Sequence, residues 1–199
     1  MGLAVETEVK VGRALGALSR GLAYLGGVLL VGIACMVVVS IIGRRIDGVG
    51  PIRGDYELVE AGVAIAVFAF LPWCQLQRRH VTVDLLVDRL GPRIRAIFGV
   101  IGDLLVTGLA ALIAWRFYLG FGEKFPYFSD VWRDRLGMGY KPFYPETTYE
   151  LEIPIWMLHG LALIGAWVFV IVSAYTVWRS VNWTMAGAEP AETAKTSRI

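Results

Sequence analysis

Three carboxylates in strongly apolar surroundings are the side chains best placed to do chemistry in this chain. Glu57 and Glu60 are three residues apart, so they share one face of a helix, and Asp103 stands alone in a later apolar segment. A carboxylate at such a depth is costly unless it finds a cation, a hydrogen-bond partner or water. The residues therefore predict either structural pairing or an ion-coupling site for a proton or sodium.

Pairing is the favoured interpretation for Glu57 and Glu60. Arg44, Arg45 and Arg53 must lie on their side of the membrane, and an ionic cluster there would pin the first span to the second. A contact with a partner subunit or a lipid headgroup is the functional alternative. For Asp103 we expect a structural carboxylate that reaches the interface or pairs with one of three basic residues, Arg78, Arg79 or His80.

The two histidines, His80 and His159, are the only candidate haem ligands. A bis-histidine haem needs both at one depth, whereas they are predicted near opposite sides of the membrane, so we expect no haem and a hydrogen-bonded His159 within the bundle. The sequence contains no convincing nucleophile–base–acid set, phosphate loop or metal cluster. It predicts a protein that is not an enzyme and needs no cofactor, and the net charge of +2 gives no reason to expect nucleic acid.

The segments that carry these residues are transmembrane helices. The chain is 56% hydrophobic with only 18% charged residues, and its mean hydropathy is +0.59. The apolar residues form long blocks, which predict an all-α integral membrane protein with spans at about 22–43, 56–77, 96–118 and 153–178. These spans fill a single four-helix domain, 1–185, with a disordered tail at 186–199. Asp55 is predicted to cap the second span.

Two connections are predicted to carry helices of their own. In Val81–Leu90, the apolar residues recur at i, i+3, i+4 and i+7, which indicates an amphipathic interfacial helix between the second and third spans. The connection 120–152 is rich in aromatic residues, and a short helix resting on the membrane surface is expected near Phe128–Leu136. A majority of the 19 Lys and Arg residues lie on the side of the two termini, so both termini are predicted to be cytoplasmic.

Several motifs resemble a known family when they are taken in order. An Arg pair at 44–45 ends the first span, Gly54-Asp55-Tyr56-Glu57-Leu58 opens the second, and Leu71-Pro72 and Gln75 close it. His80-Val81-x-Val83-Asp84-Leu85-Leu86 follows, and Glu150-Leu151-x-Ile153-Pro154-x-Trp156 opens the fourth. Together they resemble the DctQ-like small membrane subunit of tripartite ATP-independent periplasmic (TRAP) transporters.

The resemblance implies a heteromeric carrier in the bacterial cytoplasmic (inner) membrane that takes up an organic acid, driven by an ion gradient, usually sodium. A periplasmic substrate-binding protein would deliver the substrate, a large membrane subunit would transport it, and this chain would scaffold the large subunit without catalysis. The predicted interface with partner or membrane lipids consists of nine residues: Arg44, Arg45, Asp55, Glu57, Glu60, Gln75, His80, Asp84 and Leu86. A self-sufficient small carrier or channel that uses Glu60 and Asp103 is the alternative, and a membrane enzyme or electron carrier with His80 and His159 as ligands is a third hypothesis.

Overall fold

The computed structural model describes residues 5–77 and 92–186, and within these ranges the protein is all-helical. The helices are α1 (Val5–Gly43), α2 (Asp55–Leu76), α3 (Pro92–Lys124), α4 (Asp130–Leu136) and α5 (Ile155–Ala186). All except α4 are long and apolar enough to cross a membrane, which confirms the four predicted spans. The predicted amphipathic helix at 81–90 and nearly all of the predicted disordered tail lie outside the described residues.

Three of the spanning helices extend beyond the apolar blocks that revealed them. The helix that contains the first block begins at Val5 rather than near Leu22, and its 39 residues make it about 58 Å long. The hydrocarbon core is only about 30 Å thick. Hydropathy therefore located the part of α1 that can lie in lipid, whereas the helix itself continues through the charged turns that precede it. An ion pair between Glu6 and Lys10, four residues apart, lies in this extension at 3.3 Å.

The spanning helices pack as a row, with α2 and α5 at its centre. The main contacts join α1 to α2, α2 to α5, and α5 to α3. Small residues at the contacts let the backbones approach closely, as in many membrane helix pairs. At Gly165 in α5, for example, an added Cβ would lie only 2.7 Å from the Phe68 carbonyl oxygen of α2. The centre of the row is thus fixed by close backbone approach.

The outer helices of the row leave apolar side chains exposed. Val28 of α1 is 73% exposed and Leu105 of α3 is 64% exposed. Such surfaces are stable only against lipid or another apolar protein surface. The polar side chains that remain inside the protein lie near its two ends. One end contains the α1–α2 turn and the α3–α5 connection, and we call it the loop end. The other end contains the start of α1 and the end of α5, and we call it the terminal end.

Candidate functional sites at the two ends of the helix row

Asp55, the first residue of α2, links α2 to α1 at the loop end. The Ser40 hydroxyl donates to Asp55 Oδ2 at 2.6 Å, and Arg44 Nη2 donates to the same oxygen at 2.5 Å. Ser40 Oγ also accepts the N–H of Ile52 at 3.2 Å, which closes the turn between the helices. The prediction that Asp55 caps α2 was wrong: Gly54 is the N-cap residue, and the Asp55 carboxylate is used to hold α1.

The predicted ionic link between the first two spans is present, with a different acid from the ones expected. Within the described ranges, Arg44 pairs with Asp55 and not with Glu57 or Glu60. Hydrogen bonding to Tyr56, followed by hydrogen bonding and Coulombic attraction to Asp55, raises the pKa of the Arg44 guanidinium. Two further arginines of this region, Arg45 and Arg53, are exposed.

Glu57 joins the start of α2 to the connection that leads into α5. Its carboxylate oxygens accept the backbone N–H groups of Glu150 at 2.7 Å and Leu151 at 3.1 Å. In return, the Glu150 carboxylate accepts the backbone N–H of Gly54. Two carboxylates therefore satisfy backbone donors on opposite segments, and we call this reciprocal arrangement the Glu57–Glu150 clasp. It joins two of the sequence motifs that carried the family resemblance, more than 90 residues apart in the chain.

Gly54 is required at the clasp for two independent reasons. Its φ of +72° lies in the left-handed region, where L residues with a Cβ are strained. An added Cβ would also lie 2.4 Å from Leu151 Cγ, which packs directly against the Gly54 backbone. The absence of a side chain thus lets residue 151 approach the N-terminus of α2.

The α3–α5 connection is organised around one buried arginine. Arg133 of α4 is only 1% exposed. Its guanidinium donates to six backbone carbonyls, those of Gly122, Phe125, Tyr127, Met138, Gly139 and Tyr140. The helix expected near Phe128–Leu136 is confirmed as Asp130–Leu136. No motif in the sequence indicates this role, since Arg133 is one of several basic residues in the connection.

Glu60 lies one turn further into α2 and has a different environment from Glu57. It is exposed, and it lines a pocket of about 380 Å³ between α2, α5 and residues 147–149. His159 lines the same pocket, with its imidazole stacked on the Phe117 ring at a centroid distance of 5.4 Å. The expectation that His159 is hydrogen-bonded within the bundle stays a prediction.

A buried polar cluster joins α2, α3 and α5 towards the terminal end. Gln75 Nε2 donates to Thr176 Oγ1 at 2.9 Å and lies 3.5 Å from Asp103 Oδ1. The Ser180 hydroxyl donates to Asp103 Oδ2. Gln75 is 2% exposed and Asp103 8% exposed. The structural interpretation of Asp103 is therefore supported, with partners on α2 and α5 that the sequence did not indicate.

The terminal end also holds contacts that sequence reasoning missed. Asn182 of α5 donates to the Glu8 carboxylate of α1 at 2.5 Å, and both residues are buried. Arg179 Nη2 donates to the carbonyl of Leu76, the last residue of α2, at 3.1 Å. A cation near a helix C-terminus is favourable because the carbonyl dipoles point towards it. The charged turns beyond the apolar blocks thus tie α1, α2 and α5 together.

Three of the predicted interface residues, His80, Asp84 and Leu86, lie outside the described residues. In the ranges 5–77 and 92–186, no group of three or more His, Cys, Asp or Glu residues could hold a metal ion.

The chain matches the sequence model of one family over residues 33–182, about three quarters of its length. That family is described as "Tripartite ATP-independent periplasmic transporters, DctQ component". The matched range includes both segments of the Glu57–Glu150 clasp and the cluster around Asp103. No curated protein and no solved structure matches the chain.

Proposed function

The chain belongs to the DctQ family of TRAP transporter components, and from this membership we propose that it scaffolds the large membrane subunit during ion-driven uptake of an organic acid. The family and the four apolar helices make it the small, multi-pass inner-membrane subunit of a tripartite transporter. Sodium is the coupling ion that we propose, because the family usually uses it. A periplasmic substrate-binding protein and the large subunit are the proposed partners.

One observation carries the scaffolding role: the carboxylates at the helix contacts are used to hold helices of this chain together. Asp55 binds Arg44, next to the end of α1, and Glu57 binds the segment before α5. Asp103 accepts hydrogen bonds from side chains of α2 and α5. Side chains that are engaged in this way favour a fixed arrangement of the row. A transporter that alternates between two states needs one part to stay in place while another moves, and a fixed row meets that need.

The shape of the row supports the same role. Lipid-facing apolar surface is exposed on α1 and α3, the two outer helices, so either could lie against a large membrane subunit. A row of four helices also widens the transporter in the membrane plane. A wider footprint with several spans opposes tilting and displacement along the membrane normal.

The alternative of a self-sufficient carrier requires Glu60 and Asp103 to act together. Gln75 hydrogen-bonds to Asp103, and 15 residues of α2 separate it from Glu60, which corresponds to roughly 22 Å along the helix. A single desolvated ion site cannot bridge that distance. In α2, α3 and α5 the helix is continuous through each span, whereas many independent carriers bind substrate at broken helices.

Reconstitution into proteoliposomes tests the proposal. The purified chain alone should insert without catalysing uptake, whereas vesicles that hold both membrane subunits and receive the binding protein should accumulate an organic acid when a sodium gradient is applied. The matched control is the large subunit without this chain, for which we expect reduced or no uptake. Saturable, sodium-dependent uptake by this chain alone would refute the scaffolding role.

The terminal end is the side that we propose to face the cytoplasm. The bias of Lys and Arg residues towards the side of the termini supports it. Cysteines introduced singly at Lys10 and Lys141 should be labelled by a membrane-impermeant reagent only at position 141 in intact cells. Labelling at position 10 alone would show that the terminal end faces the periplasm.

A further inference from the structure

Two glutamates on one face of α2 have different bonding partners. The Glu57 carboxylate is occupied by the backbone N–H groups of Glu150 and Leu151. Glu60 has no hydrogen bond or ion pair with another described residue, yet it lines the pocket beside His159. One acidic side chain therefore completes the fold, whereas the next is left available to a ligand.

The pocket presents acceptors and negative charge at its polar side. Its lining includes Glu57 and Glu60 and contains no Lys or Arg. A neutral imidazole has one ring nitrogen that accepts a hydrogen bond, so His159 can add an acceptor to the lining of the pocket. A ligand that satisfies this set must carry positive charge and several N–H donors, as a primary ammonium does.

Thr147, Thr148 and Tyr149 also line the pocket, but most of the remaining lining is apolar and leaves room for carbon atoms next to that group. Ala61, Ala64 and Ala162 contribute only methyl groups, and the Phe117 ring forms another wall. The volume of about 380 Å³ falls within the usual range for small-molecule pockets. The pocket thus fits an ammonium group attached to a short chain better than a bare metal ion.

The position of the pocket along α2 indicates where the ligand comes from. The 22 residues of α2 are about 33 Å long, close to the thickness of the hydrocarbon core, so Asp55 lies at the membrane interface. Glu60 is five residues further on, about 7.5 Å deeper along the helix. The uncharged part of α2 begins at the next residue, Ala61, so Glu60 lies where the headgroup region meets the hydrocarbon core.

We propose that this pocket binds the primary ammonium headgroup of a membrane lipid, with Glu60 as its counter-ion and His159 as an additional acceptor. The Glu57–Glu150 clasp holds Glu150 and Leu151 in place, and these residues directly follow the pocket wall at 147–149. The site is a property of this chain alone and does not depend on the scaffolding role. A bound lipid would fill the gap between α2, α5 and the connection on the loop-end leaflet.

Lipid titration of the purified chain tests the proposal. The protein is placed in nanodiscs of phosphatidylglycerol alone or with added phosphatidylethanolamine, and retained lipid is measured by native mass spectrometry alongside the melting temperature. We expect phosphatidylethanolamine to be retained and to raise the melting temperature of the wild type. Glu60→Gln should weaken its retention roughly tenfold or more, because a charge-assisted contact is lost.

Two further variants and one further lipid separate the explanations. Glu123→Gln removes an exposed carboxylate at the loop end that does not line the pocket, and it should retain the lipid like the wild type. Ala64→Leu fills the pocket without changing its charge, and it should lose the lipid. Phosphatidylcholine, whose quaternary ammonium has no N–H donor, should be retained less well than phosphatidylethanolamine.

Three results would overturn the proposal. Equal phosphatidylethanolamine retention in the wild type, Glu60→Gln and Ala64→Leu would show that the pocket is not the binding site. Equal retention of phosphatidylethanolamine and phosphatidylcholine would show that the site does not depend on N–H donors of the headgroup. If no lipid is retained but Glu60→Gln releases the large subunit from the complex, the occupant is a basic side chain of that partner.

Discussion

Replacing Arg133 with Met should unfold the connection between α3 and α5 while leaving the spans intact. The methionine side chain has a similar length but donates no hydrogen bond, so six backbone carbonyls lose their shared donor. Two of these bonds, to Gly122 and Met138, are fully buried, and a buried group left without a partner costs about 1–3 kcal/mol. The other carbonyls are partly exposed and can bond to water. The two buried bonds alone therefore predict a local loss of about 2–6 kcal/mol.

Hydrogen–deuterium exchange of the peptide that covers residues 129–139 measures this loss. The amides of Arg133 and Met138, bonded to Ser129 and Arg133 carbonyls at 3.0 Å, should exchange roughly 30-fold to more than 10⁴-fold faster, since each 1.4 kcal/mol is a factor of ten. Arg133→Lys keeps the charge and three donors, so its exchange rates should lie between those of the wild type and those of Arg133→Met. Arg135→Met is the matched control, because Arg135 is exposed and only stacks on Trp132. Equal exchange in Arg133→Met and Arg135→Met would refute the role of Arg133.

Four further predictions follow from the same contacts. Glu57→Gln should lower the melting temperature measured by thermal unfolding in detergent, because Glu57 Oε1 and Oε2 each accept a backbone N–H, whereas glutamine keeps one acceptor oxygen and turns an NH₂ donor towards the other N–H. Gly54→Ala should cost about 1–2 kcal/mol for the positive φ alone and more for displacing Leu151; an unchanged melting temperature would contradict this. Asp103→Asn should destabilise the purified chain by about 1–3 kcal/mol without altering the sodium dependence of uptake by the whole transporter, whereas a shifted sodium dependence would favour an ion site. For residues 81–90, cysteine labelling should rise and fall with a helical period, and uniform labelling would rule out the interfacial helix.

The arrangement at the loop end explains how an aromatic connection can be a rigid part of a membrane subunit. Arg133 fixes the part that follows α3, and the Glu57–Glu150 clasp fixes the part that precedes α5. Between them, Lys124 at the end of α3 donates to Glu146 at 2.5 Å. The exposed rings of Tyr140 and Phe143 are therefore carried on a segment that is held at both of its ends.

The spans could be predicted from the sequence because membrane insertion depends on local composition. Every backbone group of a spanning helix is satisfied within the helix, so a sufficiently long apolar block identifies a span without knowledge of its neighbours. The four blocks accordingly correspond to four helices. Their true ends could not be read from hydropathy, since α1 and α5 continue as helices through polar turns where the membrane no longer selects apolar residues.

The partners of the polar side chains were decided only by the tertiary structure. The sequence identified Asp55, Glu57 and Gln75 as notable but gave no reason to pair Glu57 with Glu150, because the two are separated by more than 90 residues. Hydrogen bonds of this kind depend on which helices are neighbours in the row, and many orders of four helices fit the same hydropathy.

Arg133 is the clearest example of a side chain whose partners could not be predicted from the sequence. In the sequence it is one basic residue among several in a polar and aromatic connection, with no signal that it is buried. Its environment arises only when α4 folds back and brings six carbonyls around one guanidinium. Local sequence therefore determined where this protein crosses the membrane, whereas long-range packing determined the bonding partner of each charged side chain. A charge in a membrane protein is stabilised by the neighbour that the fold places beside it, and that neighbour can be distant in the sequence.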